Sequence, residues 1–137
     1  MAGYGVFAQV YDKLTLNVPY DQIAEYYDAK IRKFRDGDGN FLADAGCGTG
    51  NLTARLARLG YDVIGAEPSP DMLSEAMNKP HDGVQYICQD MTELDLYGEA
   101  DIIVSTLDSV NHLSSAADIT KFFRAAALNL RRGGLLL

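Results

Sequence analysis

The sequence predicts an α/β fold built on a doubly wound, mostly parallel sheet, and three observations predict it. Short apolar runs recur along the chain with helix-like patterns between them. One of these runs holds Ile102, Ile103 and Val104 without a polar break, the pattern of a strand buried on both faces. A third observation is the stretch FLADAGCGTGN at 41–51, where an apolar run enters a glycine-rich turn that opens a helix. Strand, glycine loop and helix in that order build a ligand loop at the carboxyl end of a strand. Alternating strands and helices require right-handed crossovers. The ligand crevice is therefore expected beside the first strand, where the strand order reverses.

The elements follow in order. Residues 4–17 are mixed, with Tyr4, Phe7 and Tyr11 and no sustained period. Pro19 suits a first helical turn, and Ile23, Tyr27, Ile31 and Phe34 recur at helical spacing, so 20–35 reads as an amphipathic helix. Asp36-Gly37-Asp38-Gly39-Asn40 ends it. Its DxDxN spacing matches the start of a calcium loop, but Phe41 and Cys47 stand where the glycine and the glutamate are due, so a plain turn is expected. Strand one covers 41–45. The next helix buries Leu52, Leu56 and Leu59, and Gly60 stops it. Strand two, 61–66, ends at Glu67. Ser69 and Pro70 give a capping hydroxyl and a first-turn proline, and Met72, Leu73, Ala76 and Met77 form that helix's apolar face. Strand three covers 84–88 and is followed by Gln89-Asp90; strand four covers 101–106 and is followed by Leu107-Asp108. Ser115 and Asp118 have capping-box spacing, and Ile119, Phe122, Phe123, Ala126 and Leu130 mark one face of a long helix. Arg131 and Arg132 are expected in its last turn, with Gly133-Gly134 as the stop and 135–137 as the start of strand five.

Length and charge narrow the function. A chain of 137 residues makes one domain with a two-sided core. A net charge of −7 argues against a general nucleic-acid binder, whose affinity comes largely from Lys and Arg. No apolar run approaches a membrane span, and 1–10 lacks the pattern of a signal peptide. Cys47 and Cys88 form no CxxC pair, so a reducing, cytoplasmic setting is expected.

Four features meet at the expected crevice: Gly46, Gly48 and Gly50 in the loop, Glu67 after strand two, Asp90 after strand three, and Leu107-Asp108 after strand four. An acid at the end of strand two can accept hydrogen bonds from two ribose hydroxyls; a solvated loop acid is the alternative. The dinucleotide fingerprint needs a third Gly or Ala, and Asn51 or Thr53 stands there, so a pyrophosphate binder is disfavoured. No GKS or GKT occurs, which excludes a P-loop.

The sequence resembles the class I S-adenosylmethionine-dependent methyltransferases of small bacterial type. ADAGCGTG at 43–50 matches their acid-x-Gly-x-Gly-x-Gly motif at every defining position. The likeness continues through GAEPSPDML (65–73), VQYICQDM (84–91), ADIIVSTLDSVNHL (100–113) and the RRGG close, and the YDKL…VPY stretch (11–20) looks like their lead-in helix. The resemblance implies a Rossmann-like sheet of order 3-2-1-4-5, with 1–40 as lead-in and helix and 41–137 as core. It implies S-adenosyl-L-methionine as cofactor and S-adenosyl-L-homocysteine as product. The loop, with Gly46, Cys47, Gly48, Gly50 and Asn51, would cradle the methionine part, and Asp44 would bond to its amino group. Glu67 would hold the ribose hydroxyls and Asp90 the adenine amino group, with Pro68 and Met91 against the ring. Leu107 and Asp108 would line the floor. Tyr11 and Tyr20 could close over the carboxylate and the methyl, with core packing as the alternative.

Methyl transfer from a sulfonium rests on orientation and desolvation, with a general base useful only for a protonated acceptor. His112 is the candidate base. His81 and His112 show no metal-ligand spacing, and no metal is expected. The expected acceptor is a small molecule. Family members complete strand five and add further strands, so a three-residue strand five implies a C-terminally truncated chain or a homodimer formed through the open sheet edge. Two other functions stand beside the methyltransferase: a non-catalytic nucleoside-binding module, and a nicotinamide-dependent oxidoreductase, which Asn51 disfavours.

Overall fold

A computed structural model describes residues 18–80, 83–96, 98–105 and 115–137. Helix α1 (Tyr20–Phe34) follows Pro19 and buries Tyr20, Ala24 and Ile31. Strand β1 (Phe41–Ala45), helix α2 (Asn51–Arg58), strand β2 (Asp62–Ala66), helix α3 (Pro70–Met77) and strand β3 (Val84–Ile87) then alternate. A single 3-10 turn (Met91–Glu93) leads to strand β4 (Ala100–Val104), helix α4 (Ala116–Asn129) and strand β5 (Leu130–Leu136). Ser69 caps α3, its hydroxyl accepting from Met72 N–H at 3.2 Å. Ser115 caps α4 in the same way, accepting from Asp118 N–H. Both starts are where a capping hydroxyl is legible in the sequence.

The five strands form one parallel sheet in the order β3-β2-β1-β4-β5. Helices α1 and α2 cover one face, over Leu42, Val63, Ile102 and Val104. Helix α4 and the 3-10 turn cover the other, with Phe122, Met91 and Leu94 over Ala43, Ile64 and Ile103. Arg55 ties α2 to α1: it pairs with Asp21 at 2.7 Å and lies over the Tyr20 ring at 5.3 Å. No helix among the described residues is long and apolar enough to cross a membrane.

The end of α4 differs from the sequence expectation. The helix stops at Asn129, and β5 runs for seven residues instead of beginning at Leu135. Arg131 and Arg132 therefore lie in the strand, not in a last helical turn. Two long-range interactions explain this. Asn129, itself buried, donates from Nδ2 to the Leu94 and Ala125 carbonyls and accepts from Leu96 N–H through Oδ1, which fixes the helix end against the loop before β4. Arg131 is drawn out of helical register by Asp101 and Asp36, pairing with both carboxylates. The strand absorbs the detour as a bulge at Gly133, whose φ is +84°: Leu130 pairs with Ala100, but Leu135 already pairs with Ile102. The acid-rich turn after α1 is thus tied into the sheet through Asp36. Asp101 also accepts from Phe41 N–H at 3.0 Å, so one carboxylate joins β1, β4 and β5 at their amino ends.

Candidate functional site

At the opposite, carboxyl end of the sheet the glycine loop folds back over β2. The N–H groups of Gly46 and Cys47 both donate to the Ala66 carbonyl, at 2.8 and 3.0 Å. Gly48 and Gly50 have φ of +59° and +81°, a region that residues with a Cβ rarely adopt. The two differ in what surrounds them. A Cβ at Gly48 would meet nothing within 4 Å, whereas one at Gly50 would collide with the Tyr86 hydroxyl and touch Ala76. One glycine faces open space, and the other seats the loop on the protein beneath it. Lys79, past the end of α3, donates to the Thr49 carbonyl at 3.2 Å and Asn51 Oδ1 at 3.4 Å.

Glu67 is buried at the end of β2. Its Oε1 accepts from Gly48 N–H and its Oε2 from Ser69 N–H, each at 3.0 Å. The acid therefore joins the loop after β1 to the cap of α3.

Asp44 is buried too, with Oδ2 accepting from Thr53 Oγ1–H at 2.8 Å. Burial pushes its carboxyl from the ordinary 3.8 up to about 6; the Thr53 hydrogen bond opposes the rise and the neighbouring Glu67 adds to it. Burial likewise pushes the Cys47 thiol well up, with Asp44 and Glu67 adding to the effect, so this cysteine is a protonated packing group and not a nucleophile.

Asp44, Gly65 and Tyr86 lie side by side on β1, β2 and β3, one register row across the sheet. Gly65 supplies no Cβ, and the Tyr86 ring fills that space: a Cβ there would fall 2.8 Å from the ring and 3.0 Å from Cys47 Sγ. Burial pushes the Tyr86 phenol pKa up, with Cys47 and Asp44 adding to the effect.

The remaining sequence-predicted residues distribute as follows. Asp90 is exposed and caps the 3-10 turn, accepting from Thr92 N–H at 2.9 Å and from the Thr92 hydroxyl at 2.8 Å. Met91 is buried in the core beneath it, and Pro68 is exposed beside Glu67. Asn51 opens α2 and donates to Thr49 Oγ1 at 3.4 Å. Tyr20 is buried against α2. Tyr11, Leu107, Asp108, His81 and His112 lie outside the described residues. Sequence reasoning passed over Thr53, Tyr86, Lys79 and Gln89. Gln89 holds the loop after β3 by exchanging two 3.0 Å bonds with the Asp95 backbone. Only Gly65 carried a signal, since a glycine inside a strand marks a close approach by a neighbour.

A strand, a glycine loop and an acid closing the next strand define the region, and residues 42–134 match the family described as a methyltransferase domain. The chain belongs to that family. It is 35% identical to a putative methyltransferase of Bacillus subtilis, aligned over 98% of this chain and 53% of that protein. Among solved structures it resembles an S-adenosylmethionine-dependent methyltransferase from Clostridium acetobutylicum, with a TM-score of 0.76 and 32% identity over 97% of this chain and 55% of the other. It also resembles an S-adenosylmethionine-bound amino pentose methyltransferase from Micromonospora echinaspora, with a TM-score of 0.82 and 28% identity over 96% and 55% of the two chains. The chain thus spans about half the length of the relatives it matches.

Proposed function

We propose that this chain binds S-adenosyl-L-methionine across the carboxyl ends of β1, β2 and β3, and that residues 1–137 form the cofactor-binding domain of a methyltransferase acting on a small molecule. The observation that carries the reading is the Glu67 carboxylate bonded to Gly48 N–H. It makes the loop and the acid one rigid unit, open on the side that Gly48 faces.

The donors and acceptors present suit this ligand. Glu67, oriented by the Gly48 and Ser69 N–H groups, accepts from the two ribose hydroxyls. Asp44, with the backbone of Gly46, Cys47, Gly48, Gly50 and Asn51, receives the methionine end, where a carboxylate complements an ammonium. Asp90 accepts from the adenine amino group, and Pro68 and Met91 lie beside the ring. Leu107, Asp108 and Tyr11 complete the pocket in this reading, while Tyr20 packs against α2. When bound, the cofactor supplies a methyl on a sulfonium, already activated for in-line displacement, with the thioether S-adenosyl-L-homocysteine as product. The chain's part is to hold the donor rigidly and exclude water. His112 is the candidate to take a proton from an acceptor that carries one. A cytoplasmic location accompanies this reading. The outer edge of β5, the last strand in the order, is proposed to pair with a second copy of the chain.

Calorimetry with S-adenosylmethionine, S-adenosylhomocysteine and NAD tests the reading. Saturable binding of both sulfur compounds, abolished by Glu67→Ala and absent for NAD, is expected. Folded protein that binds neither, or binds NAD as well, would overturn it.

A further inference from the structure

Past β3 the chain forms only the short 3-10 turn before β4, and two carboxamide side chains complete the backbone bonding of its far end. Asn129, at the end of α4, donates to the Leu94 carbonyl at 2.7 Å and accepts from Leu96 N–H at 2.8 Å. Gln89 takes the residue between them. Its Nε2 donates to the Asp95 carbonyl and its Oε1 accepts from Asp95 N–H, each at 3.0 Å. A carboxamide carries the donor and the acceptor of a peptide group, so Gln89 pairs with Asp95 as the facing residue of a neighbouring strand would. Burial follows the same alternation: Leu94 and Leu96 are in the core and Asp95 is exposed.

Asp90 lies inside the loop that Gln89 closes. Its carbonyl accepts from Glu93 N–H at 3.0 Å, and its Oδ1 accepts from Thr92 N–H and from the Thr92 hydroxyl. Among the described residues both bonds to this carboxylate end on Oδ1, so Oδ2 is the oxygen that can turn to a ligand. Those bonds fix the side chain within the turn, but they do not fix the turn on the sheet. Met91 and Leu94 seat it by apolar packing, which is non-directional. The directional tie across its base is the Gln89 amide, which stands immediately before Asp90 and reaches the far side of the turn at Asp95. β3 itself is anchored beside Glu67, whose N–H donates to the Ile87 carbonyl at 3.1 Å, so the tie refers Asp90 to the strand end that carries Glu67.

We propose that Gln89 is a positioning residue: by bonding both backbone groups of Asp95 it closes the turn and holds the Asp90 carboxylate where it reads the amino group of adenine. Discrimination between adenine and its deaminated form then depends on Gln89, although Gln89 itself touches no ligand. The inference rests on the cofactor reading above, but its first test does not.

That test is amide hydrogen exchange at Asp95, followed by NMR in the ligand-free chain. Gln89→Leu, of similar size without the amide, is expected to speed exchange there about five-fold, the scale of one lost hydrogen bond. Circular dichroism checks that each variant is folded. Unchanged exchange at Asp95 in folded Gln89→Leu would overturn the closure whether or not any cofactor binds. The second arm compares affinity for S-adenosylhomocysteine with that for S-inosylhomocysteine, in which an oxygen replaces the adenine amino group. The unaltered chain is expected to prefer the adenine compound, and Gln89→Leu to lower that preference about five-fold by weakening the adenine compound alone. In an Asp90→Ala background the same change is expected to leave the preference where it is. Equal losses for both compounds, or the same fall in preference without Asp90, would overturn the positioning role, since a merely structural glutamine would weaken both alike. Failure of the unaltered chain to bind either compound would sink the cofactor reading and the positioning role with it, and the exchange result would still decide whether Gln89 closes the turn.

Discussion

Replacing Asp44 by Asn should stabilise the ligand-free protein above pH 6 while weakening the cofactor binding proposed for it. The carboxyl is buried and rises from 3.8 to about 6 on folding, so the folded state holds the proton more tightly than the unfolded chain does. Below pH 3.8 both states are protonated and the charge costs nothing. Between that value and pH 6 the unfolded chain ionises first, and stability falls as pH rises. Above pH 6 the folded protein carries the full cost, about 3 kcal/mol from a shift of roughly two units. Asparagine has the same shape and no charge to bury. Its oxygen can take the Thr53 hydrogen bond, while its two N–H donors need acceptors of their own, which reduces the gain to about 1–3 kcal/mol. Urea unfolding of both proteins from pH 4 to pH 8 measures this directly. The difference should be near zero at the acid end and grow toward pH 7. A difference that does not change with pH would refute the reasoning, because it would mean that the carboxyl does not titrate differently in the two states.

Gly65→Ala should cost about 1–3 kcal/mol by overpacking, since the new methyl falls against the Tyr86 ring and Cys47 Sγ. Thermal melts would show this, and combining the change with Tyr86→Leu should recover part of the loss; equal melting of Gly65→Ala and the unaltered chain would show that the ring is free to move away. The open edge of β5 predicts dimers in light scattering at high concentration, and a clean monomer would count against edge pairing.

Much of the fold is legible because parallel strands buried on both faces leave uninterrupted apolar runs, as Ile102-Ile103-Val104 does. Capping residues mark their helices independently of tertiary structure, which is why Ser69 and Ser115 place α3 and α4 correctly. The boundary between α4 and β5 fails for the opposite reason. Arg-Arg-Gly-Gly is as good a helix end as a bulged strand start, and the choice is made by Asp36 and Asp101, 95 and 30 residues away. Glycine spacing and strand-end acids announce the rim of the candidate site. Its foundation is not announced, because a hydrophobic period places Tyr86 on a face of β3 without saying what its hydroxyl reaches. Only the cross-strand register, which sets Asp44, Gly65 and Tyr86 in a row, brings the partners together.

The two ends of the sheet treat charge in opposite ways. At the amino ends, Asp36 and Asp101 are neutralised by Arg131, and the Asp101 carboxylate also ties Phe41 N–H into the same network. At the carboxyl ends, the influences on Asp44 among the described residues are burial, a hydroxyl and a second acid, and none of them is a cation. A buried carboxylate left in that state is unfavourable for the empty protein, and a neutral side chain of the same shape would serve the fold better. The arrangement makes sense for a site whose missing positive charge arrives with its ligand. S-adenosylmethionine carries an ammonium and a sulfonium. By linkage, a ligand that binds the ionised form of Asp44 draws its titration downward and binds more tightly as pH rises through 6. The cost at Asp44 and the selectivity proposed for the loop are then two sides of one interaction, and the Thr53 hydroxyl orients the carboxylate.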